Sequence, residues 1–168
     1  TYTSAELDTL IGIEQSLYKN DFAASVLNKS SGKAEQSFWW THRETGLPCK
    51  ARCDYVVADM VIDLKTTGEG GANADKFTRS IVNFHYHLQA AHYLQATGAK
   101  RFVFIAVEKV FPYSVGIYQL SQNFIEKGFE LQEQMLQQIL EATQTKFWKG
   151  YTNTNPDNIQ TLTPPKWI

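Results

Sequence analysis

Cysteine is scarce in this sequence. The 168-residue chain has two, Cys49 and Cys53, in a C-x-x-x-C spacing. Two thiols with no Cys/His cluster around them cannot build a zinc or iron–sulfur site, so they read as reduced thiols of a cytosolic protein. Surplus charge is missing as well. The net charge is −1, which excludes bulk attraction to a polyanion; contact with nucleic acid would need a local basic patch or a metal ion. No stretch approaches the ~18 apolar residues of a membrane-spanning helix. No secretory leader, repeat or low-complexity segment is visible.

What is present suits one domain over 1–168: 43% of residues are apolar and 13% aromatic, enough for a core. Residues 4–28 carry a helical pattern, with Ser4 as the expected N-cap and Leu7, Leu10, Ile11 and Ile13 on one broad side. The segment "KSSG" ends it. Residues 34–40, 47–58 and 60–67 read as strands, the first two joined by the turn "THRETG". "GEGGANAD" (68–75) is a loop. Residues 76–97 read as one helix, with Phe77, Ile81, Phe84, Leu88 and Ala91 as its buried stripe. The run "RFVFIAVE" (101–108) suits a central strand, residues 111–120 a returning one, and 121–147 a long amphipathic helix. From Thr152 onward, with Asn155–Pro156 and Pro164–Pro165, an irregular tail is expected. This order implies an α/β fold, a mixed central sheet flanked by helices.

One stretch sits oddly in that scheme. "CDYVVADMVIDLKTT" (53–67) reads as a half-buried hairpin, yet it holds Asp54, Asp59, Asp63 and Lys65. Side chains alternate across a strand. If Asp59–Met60 is the turn, residue 58 pairs with 61, 56 with 63 and 54 with 65, and Asp54, Asp63 and Lys65 converge on one face. Two carboxylates so close stay ionised only around a cation. Oxygen-only ligands suit Mg²⁺ or Mn²⁺ rather than zinc. Such an ion can activate water against a phosphodiester, with a lysine steadying the developing charge. An isolated D-x-K triplet is ordinarily a surface hairpin whose acids face water; Asp59 fits that description as a turn acid.

A second motif lies on the following helix. "QAAHY" places Gln89 and Tyr93 four residues apart on one helix face. Asp54, the triplet Asp63-Leu64-Lys65 and this Q-x-x-x-Y together resemble the PD-(D/E)xK nuclease superfamily, in the subgroup of the RecB nuclease domain and lambda exonuclease. "TGLPCKARCD", "IDLKTT", "YHLQAAHYL", "VEKVFPYSV" and "WKGY" resemble the RecE-type exonucleases of prophages, over about Glu35 to Tyr151. The resemblance implies a restriction-endonuclease-like core of order α-β-β-β-α-β. It implies Mg²⁺-dependent 5′→3′ degradation of linear double-stranded DNA during phage-type recombination. A RecT-like annealing protein as partner and a ring-like oligomer around DNA follow from it too. Carried over by residue, Asp54, Asp63 and the Leu64 carbonyl hold metal, Lys65 is the catalytic lysine, and Gln89 and Tyr93 hold water or phosphate. Glu35 matches an upstream acid that holds a second ion or orients the site.

The pattern departs from the family in one respect. Relatives carry a histidine on a helix upstream of the first strand acid, and no residue before Thr41 is histidine here. Either that helix lies outside this chain or the ligand is lost. A catalytically impaired DNA-end-binding module is therefore the alternative, beside a PD-(D/E)xK nuclease of other polarity. The iron–sulfur nucleases of the superfamily need four cysteines and are discounted. Arg52, Lys76 and Arg79 are candidates for phosphate contact, each weighed against a salt bridge or a solvated helix face. His85, His87 and His92 read as packing residues more readily than as DNA contacts.

Overall fold

The structure, a computed structural model, describes residues 2–27, 32–150, 159 and 161–165. Five strands form one sheet in chain order: β1 (Lys33–Thr41), β2 (Pro48–Val57), β3 (Met60–Thr67), β4 (Arg101–Glu108) and β5 (Val115–Gln119). β3 and β4 are parallel; every other pairing is antiparallel. The parallel pair is possible because a helical crossover lies between its strands. That crossover is two helices, α3 (Ala74–Asn83) and α4 (Tyr86–Thr97).

One face of the sheet is covered by α1 (Ser4–Lys19) and α2 (Asp21–Leu27). Ile13, Leu17, Ala23 and Val26 pack there on Met60, Ile62, Val103, Ile105 and Val107. The other face is covered by α3 and α4, where Phe77, Ile81 and Ala90 meet Val61, Phe102, Phe104 and Ala106. The last helix, α5 (Gln122–Thr145), lies along α4. A Cβ at Gly128 would run into the His87 carbonyl and Ala91, so glycine is what lets these two helices approach. Gln132, buried between them, hydrogen-bonds His92 and Gln95.

Both helical segments that period alone joins are broken. The first is capped by Thr3 rather than Ser4: Thr3 Oγ1 accepts the Glu6 N–H while Glu6 returns a bond to the Thr3 N–H. It stops at Asn20, whose side chain accepts the Ala23 N–H at 3.0 Å and starts α2. Ile13 and Leu17 make the buried stripe, whereas Leu7, Leu10 and Ile11 are exposed. The second break is at His85, which adopts the left-handed conformation at φ 54°. The returning strand begins at Val115 rather than 111. Of the expected tail, Asn155 and Pro156 lie outside the described residues, and 161–165 form no helix or strand.

Candidate active site

The hairpin turns one residue earlier than its sequence suggests. Ala58 takes a left-handed φ of 52°, Val57 pairs with Met60, and Tyr55 with Ile62. The backbone carbonyl of Asp59 accepts both the Lys100 and Arg101 N–H groups, fixing the turn against the start of β4. Continuing the register one step sets Asp54 across from Asp63, not from Lys65. The shift is two residues in pairing, so the three side chains still converge.

Pairing itself stops at Tyr55–Ile62. Beyond that point β2 parts from β3, and Asp54 spans the opening: its Oδ2 accepts the Leu64 N–H at 3.0 Å. The pleat also changes phase here. Cys53 and Val56, three residues apart, both pack in the layer beneath α3 and α4. On the facing strand Glu35 has φ 53°, and Glu35 and Asp54 are skipped between the Ala34–Tyr55 and Gln36–Cys53 pairs. A local break of this kind re-aims side chains and is common beside active sites.

The hairpin is half-buried only in part. β3 is buried on both faces over Met60–Asp63, with Asp63 0% exposed, and only beyond it do Leu64 and Thr66 reach the surface. Its Oδ1 accepts the Gln89 Nε2–H at 2.7 Å, and Lys65 Nζ lies 2.6 Å from its Oδ2. Lys65 also donates to Gln89 Oε1 at 3.0 Å, which closes a ring of three side chains. The ring fixes the amide: oxygen toward the ammonium, nitrogen toward the carboxylate. Tyr93, one helical turn on, lies near the same amide, which opposes the effect of burial on its phenol. Lys65 is held further by the Tyr86 ring, 4.6 Å from its ammonium, and by Phe104 at 5.9 Å.

Burial dominates the electrostatics. It raises the Asp63 carboxyl from 3.8 to about 6; the neighbouring Asp54 charge adds to this, while Lys65 and Gln89 oppose it. Burial likewise pushes the Cys53 thiol to about 11, with Asp54 and Asp63 adding, and raises the Tyr93 phenol. Both cysteines are free and buried, inert behind the site.

Asp63 Oδ2 provides the test of metal fit. It is buried and near the ammonium, yet no donor is aligned to hydrogen-bond it. An open carboxylate lone pair beside a second carboxylate and the Leu64 backbone suits a hard divalent cation that keeps several waters. No group of three His, Cys, Asp or Glu side chains that could hold a metal occurs among the described residues. The set is therefore minimal, and the residues fit one Mg²⁺- or Mn²⁺-like ion completed by water or phosphate.

Other candidates stand apart from it. Glu35 pairs with Arg52 at 2.6 Å, both exposed, and joins no three-acid group. Lys76 turns back on the glycine loop, donating to the Glu69 carbonyl at 3.3 Å; Arg79 is exposed on α3. His87 bonds the Ile81 carbonyl, and His92 bonds Gln132 and the Lys50 carbonyl, the packing roles expected of them. His42, buried, meets Glu133 at 2.8 Å and ties the β1–β2 turn to α5. Tyr86 escaped the sequence reading, although it precedes Gln89 by three residues and so shares its face.

A carboxylate pair on parting strands, a triplet lysine and a helical Gln–Tyr pair are nuclease parts, and one family fits them. The family described as "PDDEXK-like domain of unknown function (DUF3799)" matches residues 5–155. The chain belongs to it. PDDEXK nucleases generally use a divalent metal, in keeping with the oxygen ligands of the site. A solved structure described as "Putative exonuclease" from Eubacterium rectale superposes with a TM-score of 0.70 and 16% identity, covering 96% of this chain and 64% of that one. The likeness shows a shared fold: the PDDEXK-like sheet with helices on both faces. This chain spans 64% of that exonuclease's length. The protein SSO0001 matches at a TM-score of 0.41 and 19% identity over 76% of this chain and 57% of its own. No curated protein matches the sequence. Among the described residues of this PDDEXK-like chain, no helix is long and apolar enough to cross a membrane.

Proposed function

We propose that this nuclease-family chain is a Mg²⁺-dependent exodeoxyribonuclease of the RecE type, degrading linear duplex DNA from 5′ ends. The observation that carries the catalytic part is the closed Asp63–Gln89–Lys65 ring beside Asp54. Asp54, Asp63 and the Leu64 carbonyl would hold the ion. When bound, Mg²⁺ supplies an acidified water and charge neutralisation at the phosphate. Gln89 keeps the Asp63 carboxylate and the Lys65 ammonium in fixed relation. Lys65, anchored over Tyr86, presents its charge where negative charge develops on the phosphate. Tyr93 would stand beside the Gln89 amide and hold water or phosphate with it. Polarity, a RecT-like partner, a ring-like oligomer and a cytoplasmic setting rest on the sequence resemblance. A second reading, a DNA-end-binding module with impaired catalysis, draws on the absence of a third acidic or histidine ligand among the described residues.

Linear duplex DNA labelled at either 5′ or 3′ ends, incubated with Mg²⁺ and then with EDTA, tests the proposal. Early release of 5′ label, abolished by EDTA and by Asp63→Ala, is the expected result. Equal degradation by wild type and Asp63→Ala refutes the catalytic assignment. End binding by both proteins without degradation favours the second reading.

A further inference from the structure

Helical period puts Phe84 in the core, beside Phe77 and Ile81. The structure instead leaves it 65% exposed. The cause is the joint between α3 and α4, where His85 takes a left-handed φ of 54° that side chains rarely adopt. The joint is secured: His87 Nδ1 bonds the Ile81 carbonyl at 3.2 Å, satisfying an end group of α3. Strain held in place this way often marks a functional element.

The exposed ring is tied to the site. Its centroid lies 5.6 Å from that of Tyr86, and the Lys65 ammonium lies 4.6 Å from the Tyr86 centroid. Phe84 is thus within about 10 Å of Lys65, a span of the order of one nucleotide. Lys65 and Asp63 are deep, and Phe84 stands outside them. A duplex end that frays at the phosphate met by Lys65 exposes the adjoining base, and an exposed base gains by stacking on a new partner. An aromatic face supplies one without regard to sequence, because every base has a π-face.

We propose that Phe84 is a stacking platform for the nucleobase adjoining the scissile phosphate. The proposal rests on the nuclease reading above and adds a base subsite to it: substrate is gripped by phosphate at Lys65 and by base at Phe84. Phe84→Ala then raises KM for linear duplex DNA about tenfold, more than it lowers kcat. Phe84→Tyr restores KM; Phe84→Leu, apolar but without a π-face, does not.

The decisive substrate carries an abasic nucleotide at the reacting position. On it the wild type falls to the level of Phe84→Ala, and the substitution has no further effect. An equal penalty on intact and abasic DNA overturns the proposal, as does an unchanged KM. A variant that changes oligomeric state by size-exclusion chromatography at unchanged KM assigns the ring to a contact between copies, and overturns it too. Wild type that cleaves nothing brings down the nuclease reading along with this one; wild type that cleaves like Phe84→Ala brings down only the stacking platform.

Discussion

Replacing Asp63 by asparagine should make the metal-free protein more stable while destroying its activity. The carboxyl is raised from 3.8 to about 6, chiefly by burial. A raised carboxyl means the folded state holds its proton more tightly than the unfolded state does. The contribution of this carboxyl to stability is therefore greatest below about pH 4 and is lost as pH rises through about 6. Above that, the ionised carboxylate costs the folded state about 3 kcal/mol, at 1.36 kcal/mol per pH unit. Asparagine removes the charge and keeps the Gln89 contact, but it leaves Lys65 without its ion pair, which lowers the net gain to about 1–3 kcal/mol. For a domain of this size that is about 3–10 °C in Tm. Thermal melts in EDTA at pH 8 should show Asp63→Asn melting above wild type, with the gap closing near pH 4. Added Mg²⁺ should raise the wild type alone. A variant that melts below wild type at pH 8, or a gap indifferent to pH, would refute the claim that burial dominates this carboxylate.

Three further outcomes follow from the same geometry. Gln89→Leu should lower kcat about 10–100-fold with little change in KM, because it removes the amide that orients both Asp63 and Lys65 while leaving their ion pair in place; unchanged steady-state rates would dismiss the ring as incidental. Lys65→Ala should abolish cleavage and weaken DNA-end binding in gel-shift assays, and cleavage at the wild-type rate would dismiss Lys65 as a catalytic group. Gly128→Ala should cost about 1–3 kcal/mol in urea melts, since the added methyl meets the His87 carbonyl; wild-type stability would show that the α4–α5 contact yields easily.

The strands were legible because turn residues bound them and β-branched or aromatic residues recur in them, and β4, apolar from Phe102 to Val107, announced its central place. The hairpin register was not. Ala58 adopts a left-handed conformation usually marked by glycine or asparagine, so nothing in the sequence moved the turn from Asp59–Met60. Parity rescued the site: a two-residue shift leaves the same side chains on the same face. The two helix breaks were hidden for a related reason. The apolar period runs through Asn20 and His85 almost in phase, so Phe84 read as core. Gln89 and Tyr93 were legible from their spacing alone, whereas the burial of Asp63 depended on α3 and α4 lying over β3, which no local pattern states. The parting of β2 from β3 at Asp54 was equally out of reach, since it is a property of the paired strands.

The polar contacts of α5 reach further than its packing. Glu133 holds His42 in the β1–β2 turn, and Gln132 holds His92, which also grips the Lys50 carbonyl on β2. The helix acts as a strap across α4 and the strand that carries Asp54. Loosening it would let the Gln89 helix drift from the hairpin with every carboxylate and the lysine still in place. Within this fold, an intact set of acids is therefore no guarantee of a working centre, and substitutions at Glu133 or Gln132 could silence it from a distance.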